Sequence, residues 1–169
     1  PVMDLRLSVV KDVPAATAWA KHLRSASGEA HPMFPEFRVY AFRGAELWGL
    51  LDKSGNPVCV NITYFGKRPL GGLGPYANVH VLYTLPSHQG QGLSTHLYRL
   101  VESEALKRGC LRMRSLAGSS GGAATFLRLG CQFWGRTPNG ELYVDSPLTG
   151  VADPRQVPAK APEPRAWSA

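Results

Sequence analysis

The stretch Leu82-Tyr83-Thr84-Leu85-Pro86-Ser87-His88-Gln89-Gly90-Gln91-Gly92-Leu93-Ser94 constrains the fold more than any other part of this chain. It reads as a strand entering a glycine-containing turn, and the turn opens directly into a helix. A helix N-terminus leaves its first N–H groups without partners and carries partial positive charge. Glycines just ahead of it let a phosphate approach the backbone without meeting a Cβ. The segment therefore predicts a phosphate or pyrophosphate cradle between a strand and a helix.

Two common cradles do not fit. A P-loop carries Lys followed by Ser or Thr after its second glycine, and no lysine lies between Lys67 and Lys107. The dinucleotide fingerprint has a third glycine three places after Gly92, where this chain has Thr95. What remains is Gln89-x-x-Gly92-x-Ser94 after a proline-containing strand end. It resembles the Gln/Arg-x-x-Gly-x-Gly/Ala signature of the GNAT superfamily of N-acetyltransferases, whose members hold the pyrophosphate of acetyl-CoA at this turn. Ser94 departs from the pattern, but it is small and its hydroxyl can donate to a phosphate.

The wider chain is consistent with one globular domain over residues 1–147 and a Pro/Ala-rich C-terminal tail, 148–169, expected to be disordered. Of its 169 residues, 44% are hydrophobic and 18% charged, enough apolar content for a core. No apolar run approaches the roughly 20 residues that span a bilayer. The start, Pro1-Val2-Met3-Asp4, has no basic segment followed by an apolar one, so no membrane partner and a cytoplasmic location are expected. Three scattered cysteines, Cys59, Cys110 and Cys131, sit in apolar strand-like segments and read as core thiols in a reducing compartment. The five histidines form no ligand pattern with acidic partners, so no metal is predicted. The formal charge of +7 suits an anionic partner, and the alternating Arg112 and Arg114 suggest a basic strand face.

Hydrophobic periodicity predicts strands at 4–10, 37–42, 46–52, 58–65, 76–84, 110–116, 131–135 and 141–146. Helices are predicted from Pro14, capped by Asp12, at 93–108 with Gly109 to end it, and at about 123–129, stopped by Gly130. Residues 66–75 and 117–122 read as glycine-rich loops. One strong βαβ unit preceded by antiparallel hairpins predicts an α/β (α+β) fold, a mixed, mostly antiparallel central sheet flanked by helices.

This order also resembles that of the GNAT-like acyl-CoA N-acyltransferase fold, over residues 4–146. A second point of likeness is Ala124-Thr125-Phe126-Leu127-Arg128-Leu129-Gly130-Cys131-Gln132-Phe133. It is similar to the family's late small-aromatic-x-x-Leu-Gly-Phe segment, which packs near the thiol end of acyl-CoA. The resemblance implies an acyl-CoA-dependent N-acyltransferase, with acetyl-CoA as donor and direct attack by an amine in a ternary complex. It implies donor binding by Leu82, Tyr83, Thr84, Gln89, Gly90, Gln91, Gly92, Leu93 and Ser94, together with Ser119 and Phe126. The backbone of Leu82, Tyr83 and Thr84 would supply the oxyanion donor.

The catalytic groups are less regular. The family's late tyrosine, a thiolate-protonating acid, is replaced by Phe126, leaving Tyr83, Tyr98 and Tyr143 as phenols; Tyr83 is the candidate acid. The carboxylate base of the histone-acetylating branch aligns with Asn78, which cannot take a proton. His80, two residues on and titrating near neutrality, is the candidate base, and a buried structural histidine is the alternative. The acceptor region holds Phe34, Phe37, Tyr40, Trp48, Tyr64 and Trp134, and the chain has only 12 acidic residues. An amine in a neutral, aromatic or anionic acceptor fits this better than a polyamine. Two alternatives share these residues: a Mom-type phage protein modifying DNA bases, and a non-catalytic GNAT-fold module binding CoA or nucleic acid.

Overall fold

The structure is a computed structural model and describes residues 4–66, 75–117, 120–136, 138 and 142–147. The predicted tail, 148–169, most of the predicted 66–75 loop and Ser119 lie outside the described residues. The chain divides into two compact units, Pro1–Tyr64 with His80–Val101, and Phe65–Val79 with Glu102–Ala169.

In the first unit, strands β1 (Arg6–Val10), β2 (Glu46–Leu51) and β3 (Pro57–Gly66) form an antiparallel sheet that continues to β4 (Tyr76–Thr84). Val9 pairs with Trp48 and Leu47 with Ile62. Every residue of β2 is buried, because a central strand covered on both faces needs no polar alternation. Helix α1 (Val13–Ser27) starts where the Asp12 carboxylate accepts the Ala15 N–H at 2.8 Å. It buries Ala16, Trp19 and Leu23, one stripe at helical spacing. The Trp19 indole lies over Gly49, and a Cβ placed on Gly49 would fall 2.6 Å from the ring. Glycine is there because an aromatic ring occupies the space of a side chain.

Residues 37–42 differ from expectation. They form helix α2 (Phe37–Phe42), entered through a 3-10 turn, Phe34–Glu36, rather than a strand. The buried residues are Phe34, Phe37 and Ala41, spaced three and four apart, which places them on one helical face. Aromatic and β-branched content favours a strand locally, but burial of this stripe outweighs it.

Helix α3 (Leu93–Lys107) runs through both units. Its stripe Leu93, Leu97, Val101 and Ala105 is buried as the periodicity requires, with Tyr98 beside it. Gly109, at φ 81, ends it, and the Cys110 N–H returns to the Ala105 carbonyl at 2.9 Å.

In the second unit the start of β4 pairs in parallel with β5 (Arg112–Ala117). β5 pairs antiparallel with β7 (Leu142–Pro147), and β7 with β6 (Gln132–Arg136), giving the order β4-β5-β7-β6. Helix α4 (Ser120–Arg128) precedes β6. The sheet is thus mixed and mostly antiparallel. Arg112 and Arg114 are each 2% exposed, so they do not form the basic strand face that their alternation suggested. β5 lies between two strands and residues 112–115 are all buried. Arg114 instead places its guanidinium 5.9 Å from the Tyr76 ring centre.

Candidate functional site

The turn from β4 into α3 is built residue by residue. The Leu85 N–H donates to the Val58 carbonyl at 2.9 Å, so the chain stays on the sheet one residue past β4. Pro86–His88 forms a 3-10 turn, and Gly90 and Gly92 then adopt φ values of +78° and +74°. Only glycine takes this conformation without penalty. A Cβ built on either would meet nothing within 4 Å, so no packing demand explains these glycines. Helix bonding begins with the His96 N–H donating to the Gly92 carbonyl at 3.0 Å. The N–H groups of Leu93, Ser94 and Thr95 therefore precede the first intrahelical bond. Open space, positive φ and a helix N-terminus coincide, and these residues fit a phosphate group.

Side chains hold the turn in place. Gln89 Nε2 donates to the Thr84 carbonyl at 3.2 Å. Ser94 Oγ and Thr84 Oγ1 are 2.6 Å apart, and Thr84 Oγ1 donates to Cys59 Sγ at 3.3 Å. The Ser94 hydroxyl thus ties the helix start to the strand end. Leu93, 1% exposed, anchors the first turn in the core, while Gln91 is exposed. Burial pushes the Cys59 thiol up to about 11, with the Thr84 and Ser94 hydroxyls pulling weakly the other way.

Along β4, the His80 ring stacks on Tyr40 of α2, centroids 4.5 Å apart and planes 13° from parallel. Its outer part meets solvent, but the covered face loses water and holds its pKa below the ordinary 6.5, with the Arg43 charge adding to the effect. Tyr83 meets Phe34 edge-on at 5.3 Å, and its hydroxyl lies 3.4 Å from Glu29 Oε2. Burial raises the phenol's pKa first of all, the Ser27 hydroxyl opposes this, and the Glu29 carboxylate adds to it. Both residues therefore rest against the segment that carries Phe34 and Tyr40.

Residues 16–130 match the model of the acetyltransferase (GNAT) family. This chain belongs to that family. No curated protein matches it in sequence. Solved structures with the same fold include the GNAT family N-acetyltransferase YhbS from Escherichia coli in complex with CoA, at TM-score 0.69 and 16% identity over 94% of this chain and 87% of that one. The ribosomal-protein-S18-alanine N-acetyltransferase from Escherichia coli gives 0.63 and 16% over 89% and 97%. The PaiA N-acetyltransferase from Thermoplasma acidophilum in complex with coenzyme A gives 0.59 and 11% over 84% and 99%. At these identities the likeness is one of fold.

In this GNAT protein the structure joins Thr84, Gln89 and Ser94 directly and sets Gly90, Gln91, Gly92 and Leu93 around them. Leu82 and Tyr83, both half-buried, precede them on β4. Phe126, 5% exposed, is in α4 of the second unit. Thr84 and Leu85 are both buried, although burial alternates at Ala77, Val79 and Val81 before them. The residues that sequence reading missed are Glu29, and Tyr40 in its role as the stacking partner of His80. Glu29 carries no sequence signal. Tyr40 was hidden by reading 37–42 as a strand, and the helical spacing of Phe34, Phe37 and Ala41 is the signal that finds it. Among the described residues no three His, Cys, Asp or Glu side chains are grouped to hold a metal ion, and no helix is long and apolar enough to cross a membrane.

Proposed function

We propose that this GNAT protein is an acyl-CoA-dependent N-acyltransferase that transfers acetyl from acetyl-CoA to an amine by direct attack in a ternary complex. The observation that carries this reading is the pair Gly90 and Gly92, held at positive φ with open space before the start of α3. The backbone N–H groups from Gly92 to Thr95 would hold the pyrophosphate, and Thr84, Gln89 and Ser94 would keep the turn in shape. The donor supplies a thioester, which is activated towards amines; the remaining work falls to the chain. The incoming amine must lose a proton. His80, with its pKa held below 6.5, is neutral at pH 7 and available as the acceptor. Tyr83, with a raised pKa, keeps its proton at pH 7 and can give it to the departing thiolate. The proton balance then closes within β4, and loss of the family's tyrosine at Phe126 is compensated.

We assign the activity to the domain of residues 1–147. Arg112 and Arg114 are buried and present no basic face to a nucleic acid, and a small amine is the acceptor proposed. The test is thermal unfolding with acetyl-CoA, CoA and ATP, followed by thiol release across an amine panel. At a hundred times its dissociation constant a ligand adds about 2.7 kcal/mol, a rise of about 5–10 °C at this size. A rise with both CoA species but not ATP, and amine-dependent thiol release, is expected. A rise without turnover for any amine supports a CoA-binding module instead. No rise with either CoA species refutes the site.

A further inference from the structure

A cavity of about 290 Å³ opens between α1 and the segment leading into α2, with Phe34, Pro35 and Ala20 as its apolar surface and Lys21, Arg24 and Arg38 around it. No carboxylate lines it. Its size is at the lower end of small-molecule sites.

Among the described residues, none of the three cationic side chains takes part in an ion pair. The last turn of a helix favours a cation, which accounts for Arg24 in α1. It does not account for Lys21 one turn earlier, nor for Arg38 at the start of α2, where the backbone field opposes a positive charge. All three are exposed, and an anion set among them would gain charge contacts with the rim of the apolar surface. A fully hydrophilic anion gains little from Phe34 and Pro35, and a neutral apolar molecule gains nothing from the cations. The ligand that uses both halves has a carboxylate head and an apolar body.

We propose that this cavity is a binding site for a small apolar carboxylate, separate from the turn before α3. The site does not depend on the acyltransferase reading. Its apolar surface includes Phe34, whose ring also meets Tyr83 at 5.3 Å. A ligand there therefore lies one ring away from the candidate acid.

Octanoate is the probe, and octanamide, of the same shape without the charge, is its control. Calorimetric titration of the full chain is expected to show saturable one-to-one octanoate binding, at least about tenfold tighter than octanamide. Arg24→Gln and Arg38→Gln, each checked for an unchanged circular dichroism melt, should weaken octanoate by about fivefold apiece and leave octanamide unaffected. Saturating acetyl-CoA should not displace octanoate. Equal binding of acid and amide overturns the proposal, as does octanoate affinity unchanged in the Arg24→Gln/Arg38→Gln variant. Displacement by acetyl-CoA, or no binding of octanoate at millimolar concentration, overturns it as well.

Discussion

Gly92 and Gly109 bracket α3 and offer a matched pair of substitutions. Both have positive φ, +74° and +81°, and a Cβ built on either meets nothing within 4 Å. Alanine at either position therefore carries the same backbone penalty, about 1–2 kcal/mol, with no steric clash. For a domain of this size that lowers the melting temperature by about 2–8 °C in both variants. The consequence for the donor should differ. At Gly92 the new methyl occupies the space through which a phosphate reaches the first N–H groups of α3, whereas Gly109 is at the other end of the helix. Losing one charge-assisted hydrogen bond costs about 1.5–3 kcal/mol, or about ten- to a hundredfold in affinity. Calorimetric titration with acetyl-CoA, at a temperature where both variants are folded, measures this directly. Gly92→Ala should bind at least about tenfold more weakly than wild type, and Gly109→Ala should match it. Normal affinity in Gly92→Ala would show that the turn does not hold the pyrophosphate. Equal loss in both variants would refute the argument differently, by showing that general destabilisation is being measured.

Other expectations follow from the same geometry. Gly49→Ala puts a methyl group into the Trp19 ring and should destabilise by about 1–3 kcal/mol in urea unfolding, less so in a Trp19→Leu background; additive effects would mean that the ring is not the obstacle. The fold holds His80 below its ordinary pKa of 6.5, so the unfolded chain binds the proton more readily. Stability is therefore complete above about pH 6.5 and falls as pH drops towards the folded-state pKa. The loss in urea midpoint between pH 7.5 and 5.5 should be smaller in His80→Gln; an identical loss removes the role given to the Tyr40 stack. All three cysteines are buried, and Cys59 titrates near 11. A chromogenic disulfide at pH 8 should find no fast-reacting thiol in the native protein and three after denaturation; a fast native thiol would contradict this packing.

Local sequence determines what neighbouring residues can settle among themselves. The strand, turn and helix at 82–94 are specified by glycines with positive φ beside a helical stripe, and the Asp12 cap and the Gly109 stop are settled within four or five residues. The GNAT likeness was legible because its signature lies in such a turn. Tertiary structure decides whatever depends on a distant partner. Residues 37–42 have a strand's composition, but become a helix because Phe34, Phe37 and Ala41 are buried together. Arg112 and Arg114 alternate like a solvent-facing strand, but β5 lies between β4 and β7 and its residues 112–115 are buried. The Ser94 hydroxyl meets Thr84, and Thr84 meets Cys59, 25 residues away. Tyr83 meets Glu29 across 54 residues, and His80 takes its lowered pKa from burial and from the Arg43 charge, both brought about by the fold. Backbone conformation is a short-range property, written in the order of the residues, whereas burial and charge environment depend on which parts of the chain meet.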